Sequence, residues 1–90
     1  YEEVLNDMDG RRILQECLEL LRADEAAPVR RRVARADWLF RDATVPTARC
    51  IWGDATAERR GYARDRDWYY FRRPAEVDDS WPPELLAEAA

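Results

Sequence analysis

Histidine and lysine are absent from this 90-residue chain, and serine occurs once, at Ser80. These absences exclude a Ser–His–Asp or Cys–His triad, a Schiff-base lysine, the lysine of a phosphate-binding P-loop and a histidine-based zinc site. Carboxylate chemistry remains open, although close pairs of acids are more often solvated turn residues. The pairs are Asp7 and Asp9, Asp65 and Asp67, and Asp78 and Asp79. We therefore expect no enzyme, no cofactor and no metal site.

Cysteine is scarce too, because Cys17 and Cys50 are the only two. They lack the short spacing of a redox or zinc-binding pair. Cys17 lies in an apolar helical stripe, which predicts a buried, reduced thiol and a cytoplasmic location. No stretch approaches the roughly 18 apolar residues of a membrane span, so no membrane partner is expected. No signal-peptide pattern is recognisable, although a start at Tyr1 rather than methionine leaves room for upstream residues.

All fifteen basic residues are arginines, and they are unevenly distributed. Residues 1–27 hold three arginines against eight acids, a net charge of −5. Residues 28–73 hold twelve arginines against six acids, a net charge of +6, whereas residues 74–90 hold five acids and no base, a net charge of −5. A basic block between acidic ends is typical of a nucleic-acid surface. An ion-paired, solvated surface accounts for the pattern equally well.

The first third of the chain contains two apolar stripes that point in nearly opposite directions on a helix. The first suits a short helix over 2–8, and the direction changes at Asp9 and the glycine after it. Asp9 is a good N-cap for a second helix over about 11–23. The stripe of this second helix is predicted to face the core and consists of Ile13, Leu14, Cys17, Leu18 and Leu21.

Two further helices are predicted in the basic block. Pro28 suits the first turn of a helix over about 28–40. Residues 47–60 fit either a strand or a helix, and we favour the helix although Gly53 in its middle costs it about 1 kcal/mol. Gly61 then ends this element, since a glycine commonly follows the C-terminus of a helix.

A β-hairpin is predicted after this glycine. Four consecutive aromatic residues at 68–71 favour a strand, so the hairpin would have strands near 61–64 and 68–72 with a charged tip. The expected fold class is therefore α+β, a small three-helix domain followed by a β-hairpin, occupying residues 1–74. Residues 75–90 form an acidic tail that would hold at most a short helix.

The order of helix, helix, turn, helix and hairpin is that of a winged helix-turn-helix domain. Residues 58–71 resemble the wing of bacterial winged-helix regulators, in which a helix ends in a charged pair, a glycine and an apolar residue before a polar turn and an aromatic strand. The resemblance implies a transcription regulator that binds double-stranded DNA, with helix 47–60 in the major groove and the hairpin tip at phosphates or the minor groove. Trp52 and Gly53 depart from the family, whose recognition helix is rich in small polar residues. The arginines predicted to bind DNA are Arg30, Arg31, Arg32, Arg49, Arg59, Arg60, Arg64 and Arg66.

A protein-binding module is the alternative: an adaptor, an inhibitor, an antitoxin-like partner, or a homodimer formed through the acidic first helix. A domain this small buries little surface, and such domains often gain stability by association. A tryptophan beside leucines in the tail would serve as an anchor for a partner, unless these residues pack back onto the domain. The residues predicted to bind a partner are Trp81, Leu85 and Leu86.

Overall fold

A computed structural model describes residues 1–89, which form three α-helices and a two-stranded antiparallel sheet. The helices are α1 (Glu2–Leu20), α2 (Ala23–Ala43) and α3 (Asp54–Arg60). The strands are β1 (Thr44–Pro46) and β2 (Arg72–Pro74), and 3₁₀ helices span Trp68–Phe71 and Pro83–Leu85. The predicted α+β class, with three helices and an antiparallel strand pair, is confirmed. The predicted positions of several elements are corrected below.

α1 runs unbroken through the point at which the sequence predicted a change of helix. Gly10 lies within it, so one helix replaces the two predicted over 2–8 and 11–23. A single continuous helix can bury only one of two opposed stripes. The core takes the first stripe, with Leu5 and Met8, and the second stripe is exposed except for Leu18. The prediction that the second stripe faces the core is therefore wrong for most of its members.

α2 begins at Ala23, five residues earlier than predicted, so Pro28 lies inside the helix and not at its first turn. A proline within a helix removes the hydrogen bond to the carbonyl four residues back, here that of Asp24. Acidic residues in the first turn, Asp24 and Glu25, favour a helix start because they face the positive end of the helix dipole.

α1 and α2 form an antiparallel hairpin joined by Leu21 and Arg22. Near the joined end, Leu18 packs against Ala26 and Val33 in a small buried cluster. Further along, Arg11 makes two hydrogen bonds to the carboxylate of Asp37, at 2.9 and 3.0 Å. The contact between the two helices thus combines one small apolar cluster with one ion pair.

The sheet joins segments that are distant in sequence, and the predicted hairpin is wrong. β1 follows α2 directly and pairs with β2, Thr44 lying opposite Pro74. The segments predicted as strands, 61–64 and 68–72, instead form turns and the 3₁₀ helix Trp68–Phe71. The physical reason is burial: Tyr69, Tyr70 and Phe71 are all buried, whereas a strand would turn alternate side chains to opposite faces.

The segment 47–60 is helical only in its second half. Gly53 has φ 94°, a value that other residues rarely adopt, so α3 starts after it. The bends and turns before it add hydrogen bonds to the aromatic 3₁₀ helix, including that from the Ile51 N–H to the Tyr70 carbonyl at 2.7 Å. Gly61, at φ 72°, ends α3 in the left-handed conformation, which confirms its predicted position.

The main core lies at the end of the domain that holds the sheet. The tail beyond β2 packs into it, because the Arg73 guanidinium donates to the Leu86 carbonyl at 3.0 Å and Thr47 pairs with Glu88. The buried members of this core are Leu5, Met8, Cys50, Ile51, Ala57, Tyr69, Tyr70, Phe71, Trp81 and Leu85. None of the helices in residues 1–89 has the length and apolar character required to cross a bilayer.

Candidate interaction surfaces

The two arginines predicted at a wing tip are bound to the domain itself. Arg64 donates to the Thr47 carbonyl at 3.0 Å, and its guanidinium lies 4.7 Å from the centroid of the Phe71 ring. Arg66 donates to the Asp67 carboxylate at 2.9 Å. No hairpin projects at this point, so both side chains hold the loop after α3 in place.

The other predicted arginines are exposed and lie on different elements. Arg30 donates to the Leu18 carbonyl at 3.4 Å, a contact at the edge of the α1–α2 hairpin. On α3, Arg60 lines the same cleft as Glu16 and Glu19 of α1. Within residues 1–89, no ion pair is formed by Arg31, Arg32, Arg49, Arg59 or Arg60. These exposed arginines, predicted to bind DNA, therefore lie on α2, on α3 and in the loop before α3.

The tail residues predicted to bind a partner are mostly buried. Trp81 is 7% exposed and packs against the Tyr1 ring, with 5.1 Å between ring centroids, while Leu85 is 3% exposed. Only Leu86 reaches the surface. In this fold Trp81 and Leu85 serve the core and are not accessible to a partner, because the tail is held against the sheet.

Two of the acids in the pairs noted in the sequence, Asp67 and Asp9, accept hydrogen bonds from residues of the domain. The buried Asp67 carboxylate accepts from the Ala63 N–H and from Arg12, both at 3.1 Å. Asp9 accepts the Tyr70 hydroxyl proton at 2.7 Å. No group of three or more metal-ligating side chains occurs within residues 1–89. Each of these carboxylates therefore has a structural partner.

The surface that the sequence analysis missed lies on the side of α1 away from the core. This outer face of α1 consists of Ile13, Leu14, Cys17 and Leu20, all exposed. The spacing of three and four residues puts these side chains on one side of the helix. Leu20 is 87% exposed and Ile13 is 61% exposed, values unusual for large apolar side chains at helical spacing. The apolar stripe was visible in the sequence, but its direction was not.

The basic and acidic side chains of α1 differ in whether they contact the rest of the domain. Its two bases point inward, where Arg11 pairs with Asp37 and Arg12 with Asp67. The hydrogen bond to Asp37 raises the pKa of Arg11, so this ion pair is firmly charged. The exposed acids of α1 are Glu2, Glu3, Asp7, Glu16 and Glu19. Glu16 pairs with Arg12 at 3.5 Å, whereas the other four acids form no ion pair within residues 1–89. The outer face is therefore an apolar stripe on a helix whose unpaired charges are all negative.

No protein-family model matches the chain, and no curated protein or solved structure matches it either. The resemblance to winged-helix domains therefore stays a prediction.

Proposed function

We propose that this chain is a protein-binding module without enzymatic activity, and that a helix of a partner protein lies along the outer face of α1. The observation that carries the proposal is the exposure of four apolar side chains at helical spacing, with Leu20 and Ile13 the most exposed. Soluble domains rarely leave such a contiguous patch uncovered, and a patch of this kind marks an interaction site. An amphipathic helix recognises its target through apolar side chains at this spacing.

The charge of α1 indicates which helix would fit. Exposed Glu16 and Glu19 lie within the segment of α1 that carries the stripe, whereas Arg11 is paired with Asp37 and Arg12 with Asp67 and Glu16. A partner helix with basic residues beside its apolar stripe would be attracted to this surface. A second copy of α1 would bring like charges together, which disfavours a homodimer through this face.

The test uses a designed probe. The probe is a fluorescein-labelled helical peptide with leucines at coiled-coil spacing and lysines on the flanks, and the control peptide has glutamates on the flanks. In an anisotropy titration, we expect the lysine peptide to bind and its affinity to fall as the salt concentration is raised. We expect the glutamate peptide not to bind. Failure of the lysine peptide to bind, or equal binding of both peptides, would contradict the proposal.

Matched variants locate the binding surface. Leu20→Glu should weaken binding about tenfold or more, equivalent to about 1.4 kcal/mol. Leu39→Glu on α2 is the control, because Leu39 is 53% exposed but lies off the outer face of α1. Circular dichroism checks that both variants fold. If both variants lose the same amount of peptide affinity, the contact lies elsewhere. If analytical sedimentation shows that the wild type is a dimer and that Leu20→Glu is a monomer, the occupant of the outer face is a second copy of the chain.

A second candidate function is DNA binding by a transcription regulator, as the winged-helix resemblance implies. It is supported by five of the predicted arginines, which are exposed and form no ion pair within residues 1–89, namely Arg31, Arg32, Arg49, Arg59 and Arg60. Binding of labelled random duplex DNA should then fall with salt at a log–log slope of about −0.9 for each phosphate neutralised. Arg31→Glu should flatten that slope, whereas Leu20→Glu should not. A flat salt dependence of the wild type would rule this candidate out.

For either function we propose a reducing, intracellular compartment, which is supported by the two free thiols of Cys17 and Cys50.

A further inference from the structure

A pocket of about 180 Å³ lies between α1, α2 and the aromatic 3₁₀ helix. Met8 and Tyr69 form its buried lining, and Phe40 and Trp68 add two partly buried aromatic rings. Ala36 of α2 also lines the pocket and is exposed, so the pocket opens beside it. The outer face of α1 lies on another side of the helix, which makes the pocket independent of the proposed partner-helix surface.

The charges around the pocket favour a neutral occupant. Arg11 and Asp37 both line it, but they satisfy each other through two hydrogen bonds. The aromatic faces are already in contact with cations, because the Arg41 guanidinium lies 4.0 Å from the Trp68 ring centroid and that of Arg11 lies 5.3 Å from the Tyr69 centroid. A cationic ligand would meet the Arg11 guanidinium in the pocket wall, and an anionic one would meet a largely apolar wall beside the exposed carboxylate of Asp7.

The volume of the pocket limits how large a neutral ligand can be. A cavity of about 150 Å³ lined by apolar side chains holds one benzene molecule, so a pocket of this volume accommodates a single six-membered ring. Phe40 and Trp68 line the pocket and pack edge to face at 5.9 Å between centroids, and a bound ring would add an aromatic contact of the same kind. The Met8 thioether adds a favourable contact between sulfur and an aromatic ring. We propose that the pocket binds a neutral, monocyclic aromatic molecule.

Met8 provides a direct test, because it is the only methionine of the chain. Labelling the protein with methyl-¹³C methionine therefore gives one methyl resonance, and that methyl lies in the pocket. Benzene is the neutral probe, and benzylammonium is the charged control with the same ring. We expect benzene to shift the methyl resonance saturably and benzylammonium not to shift it.

Two variants of α2 decide whether the shift reports this pocket. Ala36→Phe should fill the opening and abolish the benzene-dependent shift. Ala34→Phe is the matched control, because Ala34 is exposed on the same helix but does not line the pocket, and it should keep the shift. No saturable shift in the wild type, a shift that survives Ala36→Phe, or equal binding of benzylammonium would overturn the proposal. Peptide binding by the outer face of α1 should be the same in both variants, so the two proposals fail separately.

Discussion

The two ends of the molecule use similar apolar residues in different ways. At the sheet end, ten buried residues form the core, and three of them, including the fully buried Tyr70, belong to the aromatic 3₁₀ helix. At the other end, where α1 meets α2, the buried cluster consists of Leu18, Ala26 and Val33. Large side chains beside this small cluster, among them Leu20, remain exposed. Apolar character alone therefore does not decide burial in this chain.

The difference follows from helix length. Helices of 19 and 21 residues are about 30 Å long, because each residue adds about 1.5 Å. The molecule measures 43 by 28 by 24 Å, so the helical hairpin extends beyond the part that the short segments can cover. At the sheet end those segments cover the helices, and at the far end α1 and α2 have only each other. Stability is concentrated at one end, and the apolar surface available to a partner lies at the other.

Removing a side chain from the sheet-end core should have the largest effect. Trp81→Ala deletes a buried indole that packs on Tyr1, and we expect a loss of about 3–5 kcal/mol in the free energy of unfolding. Urea denaturation measures the loss. Leu86→Ala in the same tail is the control and should change stability by less than about 0.5 kcal/mol. A loss of less than 1 kcal/mol for Trp81→Ala would mean that the tail is not held in the core.

The corresponding change at the hairpin end should cost less. Leu18 is buried, but its two cluster partners are small, so the site can relax after truncation. We expect Leu18→Ala to cost about 2 kcal/mol, at the lower end of the range for such substitutions. The same urea series compares it with Trp81→Ala. A cost equal to that of Trp81→Ala would show that the two ends are equally well packed.

The contrast between the ends also explains what the sequence could predict. Local signals gave the α+β class, the existence of long helices and the glycine at the end of α3, because each depends on neighbouring residues. The apolar stripe from Ile13 to Leu21 was recognised as helical. Its orientation, however, depended on which of two stripes met a core that includes residues distant in sequence, such as Ile51 and Tyr70. Periodicity carries no information on that choice.

The strands were misplaced for a related reason. Aromatic residues at 68–71 favour a strand by local preference, but the fold buries three of them together in a 3₁₀ helix. The strand that pairs with β2 lies at Thr44–Pro46, between the segments 28–40 and 47–60 that were predicted to be helices. Among the candidate site residues, Arg64 and Arg66 looked free because the carbonyls and carboxylate that bind them lie in loops without a sequence signature.

Alkaline pH should weaken the sheet end selectively. Burial, followed by the hydrogen bond to Asp9, raises the pKa of Tyr70 above its ordinary value of 10.0. Folded Tyr70 thus keeps its proton where the unfolded chain loses it, so its contribution is complete below about pH 10 and falls by up to about 1.4 kcal/mol per pH unit above it. Tyr70→Phe should cost about 1 kcal/mol at pH 7 and should reduce this slope. An unchanged slope in urea denaturation between pH 10 and pH 11 would refute the assignment to Tyr70.

Replacing Gly10 should increase the free energy of unfolding, and this is the smallest of the expected effects. Gly10 lies inside α1 with no atom within 4 Å of the position that a Cβ would occupy, so alanine fits without displacing anything. Alanine restricts the unfolded chain and favours the helix, and we expect Gly10→Ala to stabilise the domain by about 0.5–1 kcal/mol. Gly61→Ala is the counterpart, because φ 72° at that position is unfavourable for alanine, and it should cost about 1 kcal/mol. If Gly10→Ala is destabilising, the helix is interrupted at the glycine and the outer face of α1 is not one continuous surface. If it stabilises, α1 is continuous there, and the exposed stripe belongs to a rigid helix that a partner can cover without reordering it.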